Sequence, residues 1–309
     1  MQKIQNNNTK LIGAHVSAAG GVEKAVERVA EIGGNCLQVF SGSPRVWAKK
    51  PLDAHNYQQI RDNQEQLGVK VIFTHAIYLT NLASENSEIL EKTRKSLEYD
   101  LNFDAKIGGS GVVVHLGSHM GRGWEAVRET VAQEVVELLA RTDPISTFLI
   151  ENSAGQNGKL CSLMSEIRWL IDRVGEFRGK VDGRLGWCFD TCHAHAAGYV
   201  LNDALPPQPP QSKNQSVGRV VDDISLHHLW SELRCIHVND SKDSFGAGRD
   251  RHANIGEGEL PLDALSDFLR QPQLTHVPLI LEVPGADKSG PDQVNVDRLK
   301  KLINGGENF

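Results

Sequence analysis

No stretch of this 309-residue chain approaches the ~20 consecutive apolar residues that a membrane span needs. The first residues, MQKIQNNNTK, are polar and lack the apolar centre of a secretory leader. Residues 1–9 therefore read as a frayed tail, and the protein as cytoplasmic with no membrane partner. Cysteine is sparse and odd in number: Cys36, Cys161, Cys188, Cys192 and Cys235. No two of them form a CxxC pair, which removes the usual thiolate zinc site. Cys36, Cys188 and Cys235 fall inside apolar strand-like runs, as reduced and buried thiols do. An excess of positive charge is also missing. The formal balance is −6, which by itself speaks against a nucleic-acid partner. That argument requires scattered carboxylates. Three divalent cations held by a carboxylate cluster would cancel the whole deficit of −6, so charge has to be read locally.

The chain does have a repeated unit. Short apolar runs at 11–16, 36–40, 69–73, 111–114, 147–150, 185–189, 235–238 and 277–281 have strand length. Helical patterning alternates with them over 21–32, 53–67, 87–107, 124–141, 160–174, 220–233, 261–269 and 292–303. Apolar strands covered by amphipathic helices imply a parallel α/β sheet. Eight such units with no second core predict a single (β/α)8 barrel domain spanning 1–309. The Pro- and Gln-rich LPPQPPQSKNQ at 205–215 reads as an exposed excursion and not as a linker. In a barrel of this kind the carboxyl-terminal mouth of the strands carries the chemistry.

The ends of these runs carry metal-ligand residue types. Strands three to eight end at or near His75, His115, Glu151, Asp190, His237 and Glu282. A polar residue after one strand is ordinarily a turn or a helix cap, but His and Glu are poor caps and the series is unbroken. His193, three residues beyond Asp190, and the Asp250/His252 pair after strand seven extend the set. Nitrogen and oxygen donors without thiolates suit zinc, manganese or iron. Nine ligands exceed the needs of one ion, and with bridging carboxylates they suit two or three. Clusters of that kind serve phosphoryl chemistry. His15, at the end of strand one, faces the same mouth. His119 and His195 lie just past the ligand positions as candidates for supporting roles, and Cys192 reads as packing. His55, His227, His228 and His276 read as surface residues.

Two loops read as a DNA-facing rim. Arg45, Trp47, Lys49 and Lys50 follow strand two, and Tyr78 and Leu79 follow strand three. Arginine can follow phosphates, and an aromatic or aliphatic side chain can wedge between bases. Packing beneath the loops is the competing reading for Trp47 and Leu79.

Eight ordered segments carry a resemblance: IGAHVSAAGG at 12–21, HAIYLTNL at 75–82, VVHLGSH at 113–119, IENSAGQ at 150–156, FDTCHAHAAGY at 189–199, IHVNDSK at 236–242, RDRHANIGEG at 249–258 and LILEVPG at 279–285. With these the chain resembles the endonuclease IV family of apurinic/apyrimidinic (AP) endonucleases over nearly its whole length. Leu116 stands where the family usually has proline and Ala76 where aspartate is common, and neither position is a ligand.

The resemblance implies three zinc ions on a TIM barrel, with manganese an alternative at one or more positions. His75, His115 and Glu151 would hold the first ion. Glu151, Asp190, His237 and Glu282 would hold the second, and His193, Asp250 and His252 the third. Arg45, Tyr78 and Leu79 would enter DNA. The implied substrate is duplex DNA with abasic or 3′-blocked lesions, and the implied state is a monomer. Two other readings remain. A divalent-metal sugar isomerase or epimerase on the same barrel would need only Glu151, Asp190, His237 and Glu282. A DNA-binding scaffold that has lost catalysis would not need the full set.

Overall fold

Residue pairing across the strands closes the sheet. The computed structural model describes residues 10–177, 179, 181–202 and 218–306. The tail at 1–9 and the excursion at 205–215 lie outside the described residues. The barrel strands are β1 (Ile12–His15), β2 (Cys36–Phe40), β3 (Val71–His75), β4 (Val112–Val114), β5 (Phe148–Glu151), β6 (Leu185–Asp190) and β7 (Leu233–His237), and the last is β10 (Leu279–Leu281). β8 (Asp240–Ser241) and β9 (His252–Ala253) form a small antiparallel pair outside the barrel. Every barrel pairing is parallel, and β1 hydrogen-bonds to both β2 and β10. The eight-stranded barrel expected from the alternation is therefore present. At the β1–β2 seam the backbones are so close that a Cβ on Gly13 would lie 1.7 Å from the carbonyl oxygen of Cys36, so only glycine fits there.

Among the described residues the helices are α1 (Val22–Glu31), α2 (Tyr57–Leu67), α3 (Ser87–Ile107), α4 (Trp124–Arg141), α5 (Met164–Gly175), α6 (Thr191–Ala197), α7 (Val220–Leu226), α8 (Leu262–Leu269) and α9 (Gln293–Ile303). Each longer helix buries one stripe. In α1 this is Val22, Ala25, Val26 and Val29 at helical spacing. Fully burying each valine of the stripe contributes roughly 1.5–3 kcal/mol. Asn86 caps α3 through its side-chain oxygen, which accepts from the backbone N–H groups of Glu88 and Ile89, and left-handed Gly108 ends the helix.

Several boundaries differ from the sequence reading, each for a local reason. α2 starts at Tyr57 and not at 53, because Asn56 is its cap and accepts from the Gln59 N–H. α5 starts at Met164 and not at 160, because Cys161 sits at φ 59°, where no helix can run. The helix expected over 220–233 stops at Leu226. Left-handed His228 breaks it, and a 3₁₀ turn (Trp230–Glu232) leads into β7. Strands β3, β5 and β6 run further than expected, through His75, Glu151 and Asp190.

Inside the barrel, Cys36, Phe73, Val113, Leu149, Cys188, Cys235 and Ile280 form one apolar floor. Side chains on a strand repeat every two residues, so each floor residue has an inward-facing successor one layer up. Those successors are Gln38, His75, His115, Glu151, Asp190, His237 and Glu282. The apolar floor and the polar layer above it follow from one pleat.

Candidate functional site

The polar layer is held by the ladder itself. His75 pairs with Phe40 and Val113, Glu151 with Cys188, and Asp190 with His237. Side chains fixed on paired strands are placed more rigidly than side chains on loops. Just above, Asp190 caps α6: its Oδ1 accepts from the His193 backbone N–H at 2.7 Å. The short helix turns the His193 ring back over the mouth, where its Nδ1 lies 2.9 Å from the Asn152 carbonyl. The β8–β9 pair brings His252, and Asp250 just before it, to the same place.

All nine sequence-selected residues meet. Glu151, fully buried, is the hub. Its Oε2 lies 3.2 Å from His75 Nε2 and 3.1 Å from His115 Nε2. Its Oε1 lies 3.1 Å from His237 Nδ1 and 3.3 Å from His193 Nδ1. His237 Nδ1 is also 3.1 Å from Glu282 Oε2 and 3.8 Å from Asp190 Oδ2. Asp250 Oδ1 lies 3.0 Å from His193 Nε2 and 3.3 Å from His252 Nε2. A cavity of about 310 Å³ opens on this set, lined by His75, Tyr78, His115, His193, Asp250, His252 and Glu282.

The electrostatics are those of a cation site. Burial opposes every charge here, yet the carboxylates win by their neighbours. Against that burial, His115 and His237 hold the Glu151 carboxyl well below the usual range. Asp250 and Glu282 are pulled down in the same way, by His193 and by His237 respectively. The imidazoles answer unevenly. Burial and then the charges of Glu282 and Glu151 act on His237, with the net effect of pushing it up to about 10. Burial pushes His115 down to about 3, which leaves a neutral ring able to act as a ligand.

The geometry also fits metal ions better than it fits protons. His193 Nε2 and His252 Nε2 both point at one oxygen of Asp250, yet neither makes a hydrogen bond of proper geometry, and both are buried without a hydrogen-bond partner. Donor atoms of His75, His115 and Glu151 lie within 4.8 Å of one another, as do those of Glu151, Asp190, His237 and Glu282. Cys188 and Cys235 sit close to His237 but belong to the apolar floor, and burial keeps the Cys188 thiol protonated. Burial likewise pushes Cys192 up to about 12, consistent with packing.

Sequence reasoning missed three supporting residues. Gln38 donates to Glu282 Oε1 at 2.7 Å and accepts from His237 Nε2 at 2.9 Å. Asn152 brackets the Asp190 backbone at 2.6 and 3.1 Å. Asn239 donates to Asp190 Oδ2 at 2.7 Å and accepts from the Glu282 N–H at 2.8 Å. The available signal was a lone glutamine inside the apolar run CLQVF, since a buried polar side chain needs partners. His15 is in the site as expected, with its Nδ1 2.9 Å from Glu282 Oε1. His119 and His195 touch none of the nine: His119 accepts from the Gly121 and Gly123 N–H groups, and His195 packs on Phe245. His55 is not a plain surface residue; its Nε2 lies 3.0 Å from the Tyr99 hydroxyl.

On the rim, Arg45 is exposed, and Tyr78 and Leu79 are 60% and 37% exposed. The Tyr78 N–H donates to the Pro44 carbonyl at 3.3 Å, which ties the two loops together. Lys49 departs from the expectation: it turns inward and is buried against Asp100.

A family profile described as a xylose isomerase-like TIM barrel matches residues 26–302. A "Probable endonuclease 4" from Methanoculleus marisnigri is 34% identical over 94% of this chain and 98% of its own length. A protein of the same name from Haloarcula marismortui is 33% identical over 94% and 98%. Among solved structures, endonuclease IV from Thermus thermophilus superposes with a TM-score of 0.77 at 30% identity, over 95% of this chain and 98% of that one. A D-tagatose 3-epimerase-like protein superposes with a TM-score of 0.64 at 16% identity, which shows a shared fold alone.

Proposed function

The chain belongs to the endonuclease IV family, and from that premise we propose that its single barrel domain is a zinc-dependent AP endonuclease that hydrolyses duplex DNA on the 5′ side of abasic sites. The products are a 3′-hydroxyl and a 5′-deoxyribose phosphate, and the same site trims blocked 3′ ends. The observation that carries this reading is the convergence of five imidazoles and four carboxylates at one strand-end mouth, with Glu151 shared among four of the rings. His75, His115 and Glu151 would hold one ion, Glu151, Asp190, His237 and Glu282 a second, and His193, Asp250 and His252 a third. Zinc suits this donor set, with manganese an alternative. Such ions, when bound, supply hydroxide at neutral pH and neutralise charge on the phosphoryl oxygens of an in-line displacement.

The chain's own residues do the rest. Glu151 fixes the spacing between two ligand sets. Gln38 and His15 hold the Glu282 carboxylate, and Asn239 and Asn152 hold Asp190. Arg45 on the rim meets phosphates, while Tyr78 and Leu79 wedge into the stack and Tyr78 also walls the cavity. An abasic nucleotide has no base to unstack, so it flips into the cavity at lower cost than an intact one. The enzyme acts as a monomer.

The deciding assay is incision of a duplex carrying an abasic analogue that resists β-elimination. A nick 5′ to the analogue is expected from protein holding close to three zinc ions. A fully loaded preparation that leaves the duplex intact refutes the reading. One or two manganese ions per chain and turnover of a ketose would favour a sugar epimerase, although such an enzyme has no use for His75, His115, His193, Asp250 and His252.

Metal loading is expected to release protons. Without metal, His75, His193, His237 and His252 are all raised, since carboxylates outweigh burial. Their ion pairs stabilise the metal-free fold fully below the ordinary histidine value of 6.5, and that contribution fades as pH rises toward about 10 for His237. Metal competes with those protons, so its affinity should rise across the same window. Calorimetry of zinc binding at pH 7 in two buffers of different ionisation enthalpy measures the release. Identical heats in both buffers would contradict it.

A further inference from the structure

In the sequence Lys49 reads as a rim cation, and the fold places it elsewhere. Its Nζ lies 2.7 Å from Asp100 Oδ1 on α3 and 2.7 Å from Ser41 Oγ. The Ser41 hydroxyl donates to the same Asp100 oxygen. The Lys49 side chain is 7% exposed and that of Asp100 is 0% exposed. The ammonium also stands 5.4 Å from the centre of the Tyr99 ring. A charge pair this deep is costly to form, and breaking it by removing one partner is costlier still.

The segment it anchors has little else to hold it. Between Ser41 and Pro51 only Ser41 is buried as a whole residue, and Lys49 has its side chain tucked in. A cavity of about 570 Å³ lies between it and residues 16–22. A loop that borders a cavity has few apolar contacts on that side, so its position depends on a small number of polar ties. One tie is the Tyr78 N–H to the Pro44 carbonyl, and the other is the cluster at the loop's two ends, Ser41 and Lys49. Arg45 lies between those ends.

We infer that the buried Ser41–Asp100–Lys49 cluster is a positioning device that holds the loop between its ends, and with it Arg45 and Tyr78, at the spacing that grips duplex DNA. This rests on the proposed DNA role of Arg45, Tyr78 and Leu79. Lys49 touches neither DNA nor the reacting atoms. It acts through Arg45 and Tyr78.

The test is steady-state incision of the abasic duplex, with the salt dependence of binding to the same duplex. Lys49→Met is expected to raise KM ~10-fold and leave kcat within about twofold, since a loop moved by an ångström loses its grip while the ladder-held site stays in place. Metal content should not change. The slope of log affinity against log salt should also hold, because Lys49 neutralises no phosphate, whereas Arg45→Ala should lower it by about one. Lys49→Met/Asp100→Leu removes both buried charges, so thermal stability should recover while KM stays raised. An unchanged KM in Lys49→Met overturns the inference. So does a slope lowered as in Arg45→Ala, which would mean direct phosphate contact, or a KM that recovers together with stability in the double variant. If Arg45→Ala and Tyr78→Ala leave both KM and slope unchanged, the rim reading fails and the inference falls with it. If they raise KM and Lys49→Met does not, the inference alone falls.

Discussion

Glu151→Gln is expected to lower single-turnover incision by ~10³-fold or more while the duplex still binds. The replacement keeps the shape of the side chain and removes its charge. Four imidazoles face that carboxylate within 3.3 Å: His75, His115, His193 and His237. An amide offers two N–H donors where two ring nitrogens now meet an anionic oxygen. One pair of contacts therefore becomes repulsive, and the carboxylate shared by two ligand sets is lost. Metal content should fall below that of the native protein. Binding should change little, because Arg45, Tyr78 and Leu79 stand on rim loops that do not hang from β5. The barrel should stay folded, since the floor beneath Glu151 is untouched. Incision, metal analysis and duplex binding on one preparation separate these effects. A native incision rate would remove Glu151 from the mechanism.

Six of the nine clustered residues, His75, His115, Glu151, Asp190, His237 and Glu282, were legible because one physical rule produced them. A parallel barrel brings the carboxyl-terminal ends of its strands together, so ligand types at successive strand ends had to converge. The same rule, pushed one step further, gives more. Period two along CLQVF sets Gln38 above Cys36, just as it sets His75 above Phe73 and Glu151 above Leu149. Gln38 was passed over because it lies inside its strand and is not a metal-ligand type. What it shares with the others is the layer, not the strand end.

The remainder was not legible for a different reason. Local pattern does not reveal backbone conformations that depend on tertiary context. Cys161 at φ 59° and His228 at φ 52° interrupt segments whose apolar spacing continues to look helical. The turn of α6 depends on Asp190 serving as its cap, and a strand-end aspartate gives the same signal whether it binds a cation or caps a helix. Lys49 shows the limit for charge. An exposed cation and a buried one differ only by a partner 51 residues away, Asp100, which no local window connects.

Asp190 caps α6 in the structure and is a ligand in the proposed function, and two substitutions separate these roles. Its Oδ1 caps α6 through the His193 N–H at 2.7 Å. Its Oδ2 accepts from Asn239 at 2.7 Å and faces His237 and His252 at 3.8 and 3.7 Å. Asp190→Asn keeps a capping oxygen but loses the charge, and it turns an amide donor toward the Asn239 donor. Asp190→Ala loses the cap as well and leaves the Asn239 amide with no acceptor there. Measured on metal-stripped protein, alanine should cost about 2–3 kcal/mol and asparagine less, because a cap alone contributes about 1 kcal/mol. With metal supplied, both should lose at least ~10²-fold in incision, since neither restores the carboxylate between His237 and His252. A shared activity loss with unequal stability losses is what two roles on one side chain require. If asparagine incises at the native rate, Asp190 is a cap and not a ligand; if the two variants are equally stable without metal, it is a ligand whose cap contributes nothing.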